Sequence, residues 1–353
     1  MLFGFGSKKV LGLDIGTSSI KMAELDVSKR GAALLGFSMM ATPEVAVNGG
    51  EIVDLASLSE VLSDMVRELG TKRKHVAAAL WGSAIIVKKI SVQAADKSVL
   101  EQQLSWEAEQ YIPFDVNEVN LSYKILGPSA AGVEIMDVLL VAARHEYVFK
   151  YMEVIGQARL ECSILDVAGF ALANCFEKNY GVMKGQVVGL MNIGASVTTF
   201  VVVDSGEVVF CRDIPVGGLT YTAEIQRGMG VNADEAEAMK LSVSMGQAAP
   251  DEAASLIQNA HEGVCEEINA SIDFFLNTNQ SGGVAQFYLS GGSMALPGLA
   301  QAISRVTGTP CEPLNPFFRI KSKGKKLSSS YLSEIQNFAA IAVGLGLRQA
   351  GDS

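Results

Sequence analysis

Apolar positions along the chain fall into runs whose period switches between two residues and three to four, as strands alternating with amphipathic helices require. Residues 9–15, 19–26 and 32–41 are apolar or alternating runs set apart by turn residues, and they predict a three-stranded meander. In LASLSEVLSDMVREL, Leu55, Leu58, Leu62, Met65 and Leu69 recur at three and four and predict a helix; HVAAALWG (75–82) reads as a buried strand beside it. The pattern changes at about Ile85. IIVKKISV alternates as a half-exposed strand, Asp96 is placed to cap a helix carrying Leu100, Leu104 and Tyr111, and Pro113 ends that helix. VNLSYKIL and MDVLLVAA then read as strands, and 146–157 as a helix with Tyr147, Tyr151 and Val154 on one face. These elements make a β/α module set between two pieces of the first domain.

A second unit starts near Gln186, where QVVGLMNIGASVTTFVVVDSGEVVFCRDIPVGG repeats strand, glycine turn, strand, turn, strand. Helices dominate 219–277, the longest holding Leu256, Ala260, Val264, Ile268 and Ile272. AQFYLSGGSMALPGLAQAI returns to strand, glycine loop and helix. The chain closes with a predicted helix whose capping box is Ser333 with Gln336 and whose buried face is Ile335, Phe338, Ala342 and Leu345. A chain of 353 residues suits two domains, each divisible again.

The opening turn has an echo. Asp14-Ile15-Gly16-x-Ser18 recurs half a chain later as Asn192-Ile193-Gly194-x-Ser196, each copy between two apolar strands and each followed by a third. Such a duplication predicts two similar domains whose turns converge on one cleft. Glycine lets backbone N–H groups approach anionic oxygens, and neighbouring hydroxyls add donors, so paired turns of this kind suit a phosphate clamp. An acid beside a polyphosphate is repelled unless a cation stands between them, and magnesium, which takes one or two carboxylates and keeps several waters, fits that place at Asp14. Taken singly, each copy reads rather as an ordinary hairpin turn; the pairing, with a third glycine segment, shifts the balance. A third segment, LSGGSMALPGL, puts Ser290, Gly291, Gly292 and Ser293 between a strand and a helix, where a loop can lie against a nucleoside. No G-x-x-x-x-G-K-[ST] is present, and no G-x-G-x-x-G follows a strand.

Composition narrows the partners. Hydrophobic residues at 49% with 19% charged describe a globular chain rather than a disordered one, and a net charge of −10 argues against nucleic acid. Lys321, Lys323, Lys325 and Lys326 cluster in what reads as a solvated loop rather than a phosphate or phospholipid contact. Cys162, Cys175, Cys211, Cys265 and Cys311 are odd in number without C-x-x-C spacing, and point to reduced thiols in a cytosolic protein. His75, His145 and His261 lack zinc-ligand spacing. No apolar run reaches the ~20 residues of a membrane span, and MLFGFGSKK is too short for a signal peptide.

The three glycine segments, in this order, resemble the nucleotide motifs of the actin/Hsp70/sugar-kinase ATPase superfamily: GLDIGTSSIK the first phosphate loop, MNIGASVTT the second, LSGGSMALPGL the adenosine segment. RDIPVGGLTYTAEIQRGMGVNADEAEAMK and the position of the inserted module are similar to the FtsA-like branch. LSWEAEQYIPF (104–114) and PCEPLNPF (310–317) resemble the PilM family of type IV pilus assembly proteins. The resemblance covers essentially the whole chain. It implies an α/β actin-like ATPase fold, two duplicated lobes around a nucleotide cleft. The subdomains it implies are 1A at 1–83 and 161–185, an inserted 1C at 84–160, 2A at 186–218 and 285–353, and 2B at 219–284. It implies ATP with Mg²⁺, and a cytoplasmic scaffold held peripherally at the inner membrane through its partners. Those partners are the cytoplasmic N-terminal peptide of PilN, bound in a groove involving the inserted module, and other pilus platform proteins and motor ATPases that serve twitching motility; a homo-oligomer or ring is also implied.

Residue by residue, the resemblance makes Asp14 the metal-facing acid and Gly16, Thr17, Ser18 and Lys21 the first phosphate loop. Gly194, Ala195 and Ser196 are the second, Gly217 and Gly218 the glycine pair near the phosphates, Glu237 and Lys240 the flank of the adenosine, and Gly291, Gly292 and Ser293 its loop. Glu237 and Lys240, one turn apart, also read as a surface salt bridge. Asn192 stands where the family often carries an acid, and reaches a metal only through water, so magnesium is held less firmly. Asp166, in LDVAGFALA, occupies the place of a water-positioning glutamate but is a methylene shorter, and reads alternatively as a helix N-cap. The expectation is nucleotide binding with weak or absent turnover. A small-molecule kinase of the same fold and an FtsA-like membrane-associated filament remain open. In QYIPF, Tyr111, Ile112 and Phe114 read either as lining of a partner groove or, for Phe114 above all, as core.

Overall fold

The structure, a computed structural model, describes residues 9–349 apart from residues 30, 84, 96, 130, 131, 133, 280, 281 and 325. Asp96, Lys325 and the first eight residues therefore lie outside the described residues. The opening meander forms over Leu11–Ile15 (β1), Ser19–Ser28 (β2) and Gly31–Ala41 (β3), antiparallel, with Asp14 opposite Lys21. All five residues of β1 are buried, which is why its apolar run is continuous rather than alternating. A short hairpin, Val47–Asn48 (β4) with Glu51–Ile52 (β5), precedes the helix Leu55–Leu69 (α1), which is capped by Asp54 and closed by Gly70 in the left-handed region. His75–Leu80 (β6) then lies parallel to β1.

The inserted module is a three-stranded antiparallel sheet of Ile85–Gln93 (β7), Val119–Pro128 (β8) and Ile135–Arg144 (β9), in the order β7-β9-β8, with the helix Lys97–Tyr111 (α2) on it. Its own core joins Ile90, Leu100, Leu104, Ala108, Val138 and Leu140. The helix His145–Gln157 (α3) follows, but its buried Tyr151, Val154 and Ile155 pack with Leu58 and Leu62 of α1 in the core of the first lobe. Glu161–Val167 (β10) re-enters the first sheet parallel to β6, and Ala168–Tyr180 (α4) leaves it.

The second lobe repeats the plan. Val187–Ile193 (β11), Thr198–Asp204 (β12) and Glu207–Ile214 (β13) form the meander. The helices Gly218–Met229 (α5), Ala233–Ser244 (α6) and Asp251–Thr278 (α7) follow. Gln286–Ser290 (β14) pairs parallel with β11, and Cys311–Pro313 (β15) parallel with β14, beyond the helix Leu299–Thr307 (α8). Lys321–Ser322 (β16) crosses back to edge the first sheet beside β3. The strand orders β3-β2-β1-β6-β10 and β13-β12-β11-β14-β15 are the same order built twice, so the sequence echo is an echo of architecture.

The closing helix is corrected in two respects. It is two helices, Ser329–Ile335 (α9) and Ala340–Gly346 (α10), and the cap is Ser328, whose hydroxyl accepts from the Tyr331 amide, while Ser333 donates to the Ser329 carbonyl. The break lets the Asn337 carbonyl accept from the Gly291 amide at 2.7 Å and sets Phe338 against Gly292. Helices α4 and α10 then pack together between the sheets, where Leu172, Phe176, Ala342 and Val343 share one core with Leu25 of the first lobe and Leu190 of the second. Their approach needs glycine: a Cβ at Gly344 would stand 1.8 Å from the Ala171 carbonyl oxygen. Gly344→Ala is expected to lower stability by about 2 kcal/mol, read as an earlier urea midpoint.

Candidate functional site

The two echoed turns are built alike. In the first, the Gly16 amide donates to the Ser19 carbonyl at 3.2 Å; in the second, the Gly194 amide donates to the Val197 carbonyl at 2.9 Å. They meet: the hydroxyls of Thr17 and Ser196 are 2.7 Å apart, one donating to the other. Asp14, buried at the end of β1, faces Lys21 across the hairpin, Nζ to Oδ2 at 3.3 Å, and Lys21 also donates to the Ser19 carbonyl. The acid at the end of a buried strand thus has a cation within its own hairpin. Ser18 lies at the turn, where its carbonyl accepts from the Thr42 amide, while the Thr42 hydroxyl donates to the Gly16 carbonyl at 2.7 Å. No signal in the sequence marks Thr42.

The second-lobe residues gather around the second turn. The Gly218 amide donates to the Gly194 carbonyl at 2.9 Å and the Leu219 amide to that of Ala195 at 2.8 Å, which seats the start of α5, with Gly217 before it, against the turn. The Ser293 hydroxyl donates to the Gly194 carbonyl at 2.9 Å. Glu237 and Lys240 are no surface pair. Lys240 is buried, and its Nζ donates to Glu237 at 2.7 Å, to the Thr222 hydroxyl at 3.0 Å and to the Gly218 carbonyl at 3.1 Å. Gly218 is a cradle: a Cβ there would lie 2.9 Å from the Ser293 hydroxyl and 3.2 Å from the Lys240 nitrogen. Gly291 has φ of +98°, and a Cβ would meet the Ile193 carbonyl at 2.2 Å. Asn192 pairs with Ser290 across β11 and β14, its side-chain oxygen accepting from the Ser290 hydroxyl at 3.2 Å.

Asp166 stands apart. Helix α4 is capped at Val167 with no side-chain bond, so the N-cap expected of Asp166 is not made. Its carboxylate accepts instead from the Val167 amide at 2.8 Å and from Arg348, which follows α10, at 2.5 Å. Burial pushes its pKa above the ordinary value, and the Arg348 charge opposes that rise. Asp166 and Arg348 line a groove of about 870 Å³ between the inserted sheet and the lobes, walled by Leu121, Val141, Ile164 and Val208, and none of the glycine-turn residues lines it. The Lys124–Glu207 ion pair ties the inserted module to the second lobe beside that groove.

A model of the type IV pilus assembly protein PilM family matches residues 12–350. The chain belongs to the PilM family. A chain of the solved PilM-PilN type IV pilus biogenesis complex superposes on it with a TM-score of 0.87 and 28% identity, covering 97% of this chain and 99% of that one. Among curated proteins, the cell division protein FtsA of Bacillus subtilis (strain 168) is 23% identical over 82% of this chain and 74% of FtsA. Two more distant structures share the fold. The ethanolamine utilization protein EutJ of Carboxydothermus hydrogenoformans has a TM-score of 0.58 at 15% identity, covering 98% and 92% of the two chains. MreB5 of Spiroplasma citri, bound to ADP, has 0.52 at 12%, covering 96% and 94%. The fold of this PilM-family chain is the actin-like one.

Two further residues of this PilM-family chain hold the site and were not singled out from the sequence. The Trp81 indole donates to the Ile15 carbonyl at 2.8 Å, and Asp213 accepts from the Gly82 amide and the Thr199 hydroxyl, each at 2.7 Å. Burial raises the Asp213 pKa, and those two donors oppose the rise. In QYIPF, Ile112 is buried in the core of the inserted module, and Tyr111 and Phe114 pack half-buried against it, the first under Lys88 and the second beside Arg144. The five cysteines are free thiols, and among the described residues no helix is long and apolar enough to cross a membrane.

Proposed function

We propose that this PilM-family chain binds ATP between the twin turns and holds a PilN tail peptide in the groove beside its inserted module, as a scaffold of the pilus machinery. The observation that carries the nucleotide reading is the meeting of two identically built turns at the Thr17–Ser196 hydrogen bond, with a glycine cradle at Gly218 beside them. The donor set fits a phosphate chain: turn amides, the Ser18 hydroxyl, the one proton of the Thr17–Ser196 hydroxyl pair not used between them, and the ammonium of Lys21. Among the described residues no group of three or more His, Cys, Asp or Glu side chains is positioned to hold a metal. A magnesium ion would therefore be carried largely by phosphates and water, with Asp14 facing it and Asn192 reaching it through water. Bound there, it would neutralise the phosphate charge that Asp14 alone repels. Glu237 and Lys240, joined at 2.7 Å, would flank the adenosine, and Gly291 and Gly292 would supply its loop.

We assign the actin-like subdomains as 1A at 1–83 and 161–185, 1C at 84–160, 2A at 186–218 and 285–353, and 2B at 219–284, a division in which α3 of 1C packs into the core of the first lobe and β16 of 2A pairs with the first sheet. Turnover is weak or absent, because Asp166 is taken up by Arg348 and faces the groove rather than the turns. The groove is lined by apolar side chains together with the Asp166–Arg348 ion pair and polar residues such as Asn120, Ser122 and Asn174, a surface for an extended peptide with apolar anchors. The chain would then sit at the inner membrane through that partner, alongside other platform proteins and motor ATPases.

Calorimetry with magnesium–ATP, and separately with a synthetic PilN N-terminal peptide, tests both parts. Saturable one-to-one binding is expected in each titration. No heat with ATP under conditions where the folded chain binds the peptide would overturn the nucleotide part, and steady phosphate release would overturn the claim of weak turnover.

A further inference from the structure

Both turns are wired, through hydrogen bonds, to the two residues at which the chain leaves the first lobe for the inserted module. Trp81 and Gly82 follow β6 and precede β7. On one side the Trp81 indole donates to the carbonyl of Ile15, the residue immediately before the first turn. On the other, the Gly82 amide donates to the Asp213 carboxylate, whose second oxygen accepts from Thr199, two residues beyond the second turn and opposite Asn192 in the ladder. The Gly82 carbonyl then accepts from the Ile85 amide, the first residue of β7, at 3.3 Å.

The returning chain meets the same point. Tyr151 of α3 is fully buried and donates to the Gly50 carbonyl at 3.4 Å, and Gly50 lies so close to Trp81 that a Cβ would stand 2.1 Å from the Trp81 carbonyl oxygen. Gly82 has φ of +91°, and a Cβ on it would stand 2.0 Å from the Gly49 carbonyl oxygen. Neither glycine admits a side chain, so the Trp81–Gly82 corner has no slack: a shift of either turn must displace it or break a bond.

We infer that Trp81–Gly82 is a mechanical node through which the positions of the two turns set the position of the inserted module. The inference deepens the reading above, on which it rests only for what moves the turns: with the Thr17 and Ser196 hydroxyls already 2.7 Å apart, an occupant entering between the turns would displace the Ile15 carbonyl and Thr199 relative to one another, and the corner would carry that movement into β7. Trp81, Thr199 and Asp213 are positioning residues in this scheme, acting through the backbone of their neighbours.

Residue-resolved hydrogen exchange on the full chain without nucleotide tests the wiring itself. Thr199→Val keeps the branched shape of the strand residue and deletes its hydroxyl; Trp81→Phe keeps a ring and deletes the indole donor. Each is expected to speed exchange roughly tenfold at the Ile85 amide and also at the turn on the opposite lobe, Gly16 for Thr199→Val and Gly194 for Trp81→Phe. Thr199→Ser, which restores the hydroxyl, is expected to return the Ile85 rate to that of the parent. Acceleration confined to the immediate neighbours of the substituted residue, with Ile85 and the opposite turn unchanged, would overturn the node. No ATP is present in this measurement, so a failure of nucleotide binding is read separately, in the calorimetry, and leaves the exchange result to decide the node alone.

Discussion

Asp14→Asn weakens binding of magnesium–ATP by roughly tenfold to a hundredfold and leaves binding of metal-free ATP undiminished; that is the expected pair of results. The reasoning is electrostatic. A carboxylate facing a hydrated cation on a phosphate chain contributes a charge-assisted interaction of about 1.5–3 kcal/mol, which disappears when the charge does. Without the cation the same carboxylate faces like charge, so removing it relieves repulsion. Asparagine is the useful replacement because its side-chain oxygen can still accept from Lys21, now 3.3 Å from Asp14, so a half-buried ammonium is not abandoned. Titrations in magnesium and in chelator, with folding checked by circular dichroism, separate the cases. Equal weakening in both conditions would mean that Asp14 acts through the hairpin's shape, and the metal-facing assignment would fall.

The parts of this site legible in the sequence are those that local chemistry repeats. Asp14-Ile15-Gly16 and Asn192-Ile193-Gly194 could be matched because each turn uses one strand-to-strand solution, and the shared i to i+3 bonds at Gly16 and Gly194 are the physical content of that match. Gly217 and Gly218, by contrast, acquire their role only by resting on Gly194 and Ala195. Resemblance located them; periodicity did not. Thr42 and Asp213 were silent because their partners are supplied by tertiary packing. Asp213 pairs with an amide 131 residues away, and nothing beside it in the chain announces that. The closing helix failed for a related reason: its apolar spacing continues through residues 336–339, but the Gly291 loop needs the Asn337 carbonyl and so breaks the helix. Lys240 shows the same limit in the other direction. Spacing alone permitted a solvent-exposed ion pair with Glu237, whereas the ammonium is buried on three oxygens.

Asp166 is the sharpest case of tertiary structure overriding a local reading, and it yields the largest stability effect expected of any single substitution here. A strand-end acid before a helix suggests a cap, yet a guanidinium 182 residues away holds it. Both side chains are largely withdrawn from solvent, 7% and 19% exposed for Asp166 and Arg348. Arg348→Met keeps the aliphatic length and removes the charge, stranding a buried carboxylate, and is expected to cost about 3–5 kcal/mol at neutral pH. The folded-state pKa of Asp166 is already raised by burial and, without the cation, must rise further. For an acid whose folded pKa exceeds its unfolded value, near 3.9, the stabilising contribution is complete below the unfolded value and is lost as pH climbs through the folded one. The variant should therefore be closest to the parent near pH 4 and lose up to about 1.4 kcal/mol for each pH unit across that window. Adding Asp166→Asn removes the stranded charge while keeping an acceptor for the Val167 amide, so the double variant should recover most of the loss and flatten the pH dependence. Urea midpoints of the four proteins at pH 4.5, 6 and 7.5 decide it: additive losses with no pH dependence would mean that Arg348 stabilises α10 by packing alone, and that Asp166 is not the charge it serves.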